Sequence, residues 1–436
     1  MSANPFTFGN PISDPARFYG RKQEIRQIVN RLLSSAHEST SVVGERRIGK
    51  TSLLYYLAHP EVTAGMGLTP DKYCLVYVDF QGLTDITPQR FWQRVLSKIE
   101  RASCDQELAA RFKKASRQQK FDLFDLEDLF DTVANRGRQV VLLLDEFEYV
   151  TRNKNFGSEF FGGLRSLAIH HPLSLIPSTQ RELVDLCHSE EIKGSPFFNI
   201  FANVVLRPFT REDAEALIEG YVTNTSISLT PEEKVFVLNL GGGHPLFLQM
   251  AGYYMVERKA QGLASTALLD CVTADLDHQA EPHYAYLWTH CSESEKITLL
   301  AVTMLGQHKP SPQTEPNLEN IAQLHARAAL DIATLLKRGL LEERNKSYSL
   351  FSPSFGRWIT HEIIAPAGEE KTPADVEKWI NERIKKEERG ILSPATRILA
   401  KVNPKYWPLV VELLKEASVK IAFEGAYELI KAWLRL

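Results

Sequence analysis

A chain of 436 residues, 44% apolar and 24% charged, is long enough for about three domains, each able to bury its own core. Its 51 basic and 54 acidic side chains leave a formal charge of −3, which excludes a global field that recruits nucleic acid or membrane, so any such partner must bind a local patch. No window approaches the ~20 apolar residues of a transmembrane helix, Met1 to Pro15 lack a basic start and apolar core, and the five cysteines are far apart without metal-like pairing, so a cytoplasmic protein with no membrane partner is expected.

The first element is Phe18-Tyr19-Gly20-Arg21-Lys22-Gln23-Glu24, a Gly-Arg turn ahead of an amphipathic helix over 24–35. A strand over 40–43 then runs into Gly44-Glu45-Arg46-Arg47-Ile48-Gly49-Lys50-Thr51-Ser52, which fits the pattern Gly, four residues, Gly-Lys-Thr. Small glycines let backbone N–H groups turn inward around a triphosphate, and the helix that follows points its N-terminal dipole at the anion. Lys50 is placed to reach the β and γ phosphates, and Thr51 to offer its hydroxyl to Mg²⁺.

Strands over 74–80 and 139–145 follow, with amphipathic helices over 88–101 and 123–136 between them. The second strand ends in Leu144-Asp145-Glu146, an apolar run delivering two carboxylates to the C-terminal edge of a buried parallel strand. In this position Asp145 joins the Mg²⁺ shell and Glu146 polarises the attacking water. A helix over 157–169 and strands over 173–178 and 203–206 complete an α/β core with a five-stranded parallel sheet, all strand ends on one rim.

After Pro208 strand patterns give way to capped helices. Thr210 to Asp213 resembles a capping box with Asp for Glu, and Thr230 to Glu233 is a full one with Pro at the first helical position. Gly241, Gly242 and Gly243 break one helix and Pro245 starts the next. Three helices beyond Ser292 precede two alternating runs around Arg344-Asn345-Lys346-Ser347, which predicts a hairpin wing behind helices, a winged-helix domain. The helix before the wing, 326–338, carries only Arg327, Lys337 and Arg338 as bases and suits packing against protein better than DNA readout. The tail is helical: a charged amphipathic stretch over 372–389, a helix over 391–401, and a hairpin of helices from Trp407 that could dock a partner.

Taken together these motifs resemble the STAND-type signal-transduction ATPases, AAA-like P-loop NTPases with a helical lid and a winged helix, over residues 5 to 365. The expected division is 1–208 P-loop core, 209–288 lid, 289–365 winged helix and 366–436 helical tail. The resemblance implies that Tyr19, Gly20 and Arg21 lie near the adenine, that Gly44 to Ser52 form the Walker A loop, and that Asp145-Glu146 form Walker B. It implies that the run Ser178-Thr179-Gln180-Arg181, at the end of the fourth strand, carries the sensor for the γ-phosphate, with Thr179 and Arg181 its site residues. It further implies that His244-Pro245, in the family's Gly-x-Pro turn, pack near base and ribose. Arg181 is the first candidate for an arginine finger, with Arg152 and Arg165 open. Phe351 to Phe355 stand where family members carry a Met-His-Asp type motif, and no sensor repeats follow.

The expected function is an ATP/ADP and Mg²⁺ dependent switch with low basal ATPase turnover, in which ATP closes core against lid and promotes homo-oligomerisation or signalling to a protein effector. The alternative is a DNA-binding ATPase of the origin-recognition or transposition-regulator kind, acting through its winged helix.

Overall fold

A computed structural model describes the chain except residues 1–3, 121, 195, 224, 226, 227, 264, 308–314, 366–367, 386–391, 393–394, 421–422 and 434–436, and the side chains of 191, 265, 417–420 and 423–427. Five strands, β1 (Thr40–Gly44), β2 (Tyr73–Asp79), β3 (Gln139–Asp145), β4 (Leu173–Thr179) and β5 (Ala202–Leu206), pair in parallel in the order β2-β3-β4-β1-β5. Before β1 runs α1 (Lys22–Leu33), and between the strands run α2 (Lys50–Ala58), α3 (Pro60–Ala64), α4 (Pro88–Ala102), α5 (Gln106–Ser116), α6 (Leu123–Ala134), α7 (Glu148–Thr151), α8 (Ser158–His170) and α9 (Glu190–Lys193). β3 and β4 are buried at every position, as expected of strands covered by helices on both faces, whereas the edge strand β2 alternates. The register sets Asp79 beside Asp145 and Val43 beside Thr179, so the loops after β1, β2, β3 and β4 emerge at one rim.

All five strands and the four helices anticipated with them lie within two residues of their expected bounds. α5 was not anticipated. It is capped by Asp105, buries only Leu108 and Phe112, and packs on α4, so little of its sequence is periodic. α4 carries a strong stripe, burying Phe91, Trp92, Val95, Leu96 and Ile99, which contribute about 1.5–3 kcal/mol each.

The chain forms two compact units: Thr7–Ser226, which holds the sheet, and Ile227–Leu436 with Met1–Phe6. The first ends with α10 (Arg211–Val222), where Thr210 caps the Asp213 N–H without the reciprocal bond, a single cap rather than a capping box.

The second unit is helical: α11 (Pro231–Gly241), α12 (Pro245–Ala260), α13 (Ser265–Thr289), α14 (Glu293–Gly306), α15 (Leu318–Leu324), α16 (Ala328–Arg338), α17 (Pro353–Ile363) and α18 (Pro373–Arg383). Between α16 and α17 an antiparallel hairpin, β6 (Leu341–Arg344) and β7 (Ser347–Leu350), turns through Asn345 and Lys346, both left-handed. α18 is shorter than the 372–389 expected from its charges, because Ile384 is extended; residues 386–389 lie outside the described residues. Of the helix expected over 391–401, Thr396–Ala400 is helical, and 391, 393 and 394 lie outside the described residues. Helices Trp407–Lys420 and Phe423–Trp433 form the anticipated pair. Among the described residues no helix is long and apolar enough to cross a membrane.

Candidate active site

The loop between β1 and α2 carries the Gly-Lys-Thr pattern, and its backbone explains the residue types. Gly49 has φ 103° and Arg47 φ 66°. A Cβ on Gly44 would lie 2.8 Å from the Ile48 side chain and 3.0 Å from the Leu206 carbonyl, so only glycine lets the loop fold back onto buried Ile48. Lys50, 5% exposed, donates from Nζ to the carbonyls of Gly44 (2.8 Å) and Glu45 (3.1 Å), which leaves a third N–H of its ammonium for an anion. Ser52 Oγ accepts from the Ile12 N–H at 3.0 Å, and Arg47 donates to the Gly9 carbonyl at 3.0 Å, so the segment before α1 is laced to the loop.

Arg21 serves that loop from beneath. Gly20 and Arg21 are both left-handed, with φ 72° and 63°, which turns the 4%-exposed Arg21 side chain inward. It donates to the Ile48 carbonyl (2.9 Å) and the Arg207 carbonyl (2.7 Å), pairs with Glu24, and lies 4.5 Å over the Phe209 ring. Burial depresses its pKa, with Glu24 opposing. Tyr19 covers Gly220 so closely that a Cβ there would sit 2.2 Å from the ring, and Phe18 stacks on Tyr56 at 4.4 Å. Phe18, Tyr19, Gly20, Tyr56, Asn30 and Asp213 line a cavity of about 460 Å³.

At the end of β3, Asp145 is 2% exposed and both of its oxygens are held. The Tyr77 hydroxyl donates to Oδ2 at 2.9 Å, the Ser178 hydroxyl donates to Oδ1, and the Glu146 N–H reaches Oδ1 at 3.1 Å. Hard oxygen donors from Thr51 and from an oriented, buried carboxylate suit Mg²⁺, whose ligands need such fixing. Glu146 has φ 52°, a strained conformation for a non-glycine residue at the rim. Burial and then neighbouring Glu148 push its carboxyl up to about 7, against the pull of Lys50.

The sequence reading gave no role to Tyr77, in a strand read only for its apolar pattern, or to Glu148, and it placed Ser178 in the run expected to sense the γ-phosphate, not behind Asp145. Glu148 is 4% exposed, and neither of its carboxylate oxygens meets a well-aligned donor. Burial raises its pKa, while its own N–H, Lys50 and Arg152 pull it down. The sequence did carry a signal for it, a second Glu two positions after Glu146 in an otherwise apolar stretch.

Other expected residues fall differently. Thr179 is fully buried and its hydroxyl donates to the Arg181 carbonyl at 2.6 Å, while the Arg181 side chain is exposed at the rim beyond β4. His244 and Pro245 belong to the second unit, where buried His244 packs 4.7 Å from Phe247 and 5.9 Å from Phe351. The Phe351 to Phe355 segment closes on this turn: the Ser352 hydroxyl donates to the Leu240 carbonyl at 2.7 Å.

The sequence matches the Novel STAND NTPase 2 family over residues 21–307, most of the chain. The protein belongs to that family. It is a P-loop NTPase, and the family implies nucleotide binding, usually with Mg²⁺. No curated protein matches the chain significantly. Among solved structures, the Walker-type ATPase PABY2304 of Pyrococcus abyssi is similar at 16% identity and TM-score 0.51, covering 80% of this chain and 98% of that one. The Aeropyrum pernix ORC2 protein is similar at 15% identity and TM-score 0.51, covering 82% and 95%. At such identities the likeness is one of fold.

Proposed function

We propose that this STAND NTPase is a slowly hydrolysing ATP switch. The single observation that carries the reading is the shared rim, where Lys50, buried Asp145 and Glu146 lie at the ends of β1 and β3 with the chemistry needed to bind and cleave a triphosphate. The loop N–H groups and Lys50 would take the phosphates, and Thr51 and Asp145 would hold Mg²⁺, which when bound neutralises charge on the β and γ oxygens. Glu146 orients water, and its raised pKa makes it a better proton acceptor at neutral pH than an ordinary carboxylate. The base enters the cavity beside Tyr19, a use supported by its ring walls, Phe18, Tyr19 and Tyr56. The solved ORC2 relative was obtained as ADPNP–ADP complexes, which supports adenine as the base.

The switch works through a difference in affinity of two states for ATP and ADP. ATP favours closure of the core on the lid, here residues 209–288. The helices and hairpin over 289–365, read as a winged helix, and the helical tail pass the state to a protein effector. Arg181, exposed at the rim, is suited to act on a neighbouring copy, and an arginine supplied in this way raises turnover ~10³-fold or more.

The test is light scattering of purified protein with ADP, and of Glu146→Gln with ATP. Assembly in ATP alone is expected; identical mass with either nucleotide would overturn the switch.

A further inference from the structure

The polar side of α4 is a row of cations. Arg90, Arg94, Lys98 and Arg101 follow one another at four, four and three residues, so they share one face, beside the buried stripe of Phe91, Trp92, Val95, Leu96 and Ile99. None of the four side chains has a hydrogen bond or ion pair with a described residue, and the Arg94 Nε is buried without a partner. They line a groove of about 780 Å³ whose other wall is the 82–86 loop and Ser116, with Asp85 its one carboxylate. The segment 88–120 that builds it holds nine basic and three acidic side chains, in a chain whose net charge is −3.

We propose that this groove binds the phosphate backbone of duplex nucleic acid. Three of the four cations are Arg, whose planar fork matches phosphate geometry. The row spans about 17 Å, over which a duplex presents roughly ten phosphates. No aromatic side chain lines the groove, which disfavours single strands, since these need stacking platforms. Only Leu83 and Ile86 are large apolar walls, too few to anchor an acidic peptide.

The groove also has a mechanical link to the nucleotide rim. The Asn153 amide donates to the carbonyls of Thr84 (2.9 Å) and Ile86 (3.0 Å), and the Asn155 amide to Ile86 (3.2 Å), so the groove wall is tied to the segment following Glu146 and Glu148. Resting on the switch reading above, the duplex is then the input that this NTPase senses.

The test is fluorescence anisotropy with a labelled mixed-sequence DNA duplex of roughly two helical turns, titrated from 50 to 200 mM salt. Four phosphate contacts lower the wild-type affinity about 150-fold across that range, and Arg94→Gln/Lys98→Gln, with two contacts, only about 12-fold from a weaker start. Binding of a fluorescent ATP analogue by the same variant shows that it is folded, and if that binding is lost, Arg90→Gln/Arg101→Gln, at exposed positions, carries the test. No binding at 50 mM salt would overturn the proposal. So would loss of binding in Arg344→Gln/Lys346→Gln alone, or displacement of the duplex by an equal charge of polyglutamate, which would point to an acidic protein. Duplex binding is read without nucleotide, so a failed switch leaves this outcome interpretable.

Discussion

The Tyr77 hydroxyl donates to Asp145 Oδ2 at 2.9 Å, joining the C-terminal ends of neighbouring strands β2 and β3 at the nucleotide rim. With Ser178 on the other oxygen, the carboxylate is fixed from both sides. Burial, with Asp145 beside it, raises the Tyr77 pKa, so the phenol remains a donor across the working range. Tyr77→Phe frees one side of Asp145. In a Mg²⁺ titration of ATPase activity, the variant is expected to need roughly 10-fold or more Mg²⁺ for half-maximal rate, in line with loss of a partner behind a metal ligand. An unchanged Mg²⁺ requirement would show that Tyr77 only packs.

Glu146 offers a pH signature. Its carboxyl is pushed up to about 7, and the ionised form is the one that accepts a proton from water. Single-turnover ATP cleavage is expected to rise as pH increases from 5.5 to 8, with its midpoint near 7. Glu146→Gln should cleave ~10²-fold or more slowly at every pH while still binding ATP. A flat profile in the wild type would assign the rate-limiting step to something other than proton transfer.

Glu148 turns burial into a stability signal. A carboxyl whose folded pKa lies above its unfolded value binds more protons when folded, so its contribution to stability is greatest at low pH and falls as pH rises through the unfolded value toward the folded one. Burial outweighs the backbone N–H groups and cations that face it, so the ionised group is costly in the fold. Thermal melts of Glu148→Gln and wild type should coincide near pH 4 and separate by pH 8, with the variant the more stable. The reverse order at pH 8 would mean that Lys50 and Arg152 stabilise the charge more than burial penalises it.

The strands and motif loops were legible because each rests on local chemistry: a short apolar run bounded by turn residues reads as a buried strand, and Gly44, Gly49 and Lys50 announce their loop by type and spacing. Arg21 was legible as a position, not as a contact. A sequence shows Gly-Arg before the loop, but its two hydrogen bonds to the backbone go to carbonyls 27 and 186 residues away. Tyr77 and Glu148 were hidden, and Ser178 was read for a phosphate sensor and not for Asp145, for the same reason: their partners, Asp145 and Lys50, are distant in the chain. α4 was foreseen as a helix, whereas its cationic row gained meaning only when the 82–86 loop made it a groove wall.

The second unit contains a glycine that can be tested alone. Gly242 is left-handed, with φ 58°, and a Cβ there would stand 1.6 Å from the Phe351 carbonyl oxygen, a backbone atom that cannot rotate aside. The same turn receives the Ser352 hydroxyl on Leu240, and Phe247 stacks on Phe351 at 5.6 Å, so moving the 351–352 backbone would loosen both contacts. Gly242→Ala therefore combines a left-handed penalty of roughly 1 kcal/mol with a clash relieved only by shifting packed backbone, roughly 3 kcal/mol or more together. For a unit of this size that corresponds to a melting temperature lower by about 6–12 °C. Gly262→Ala is the control: it shares the left-handed backbone, at φ 75°, but has open space around its Cβ. It should lose only the conformational part, and equal losses in the two variants would show that the Phe351 contact gives way at no cost.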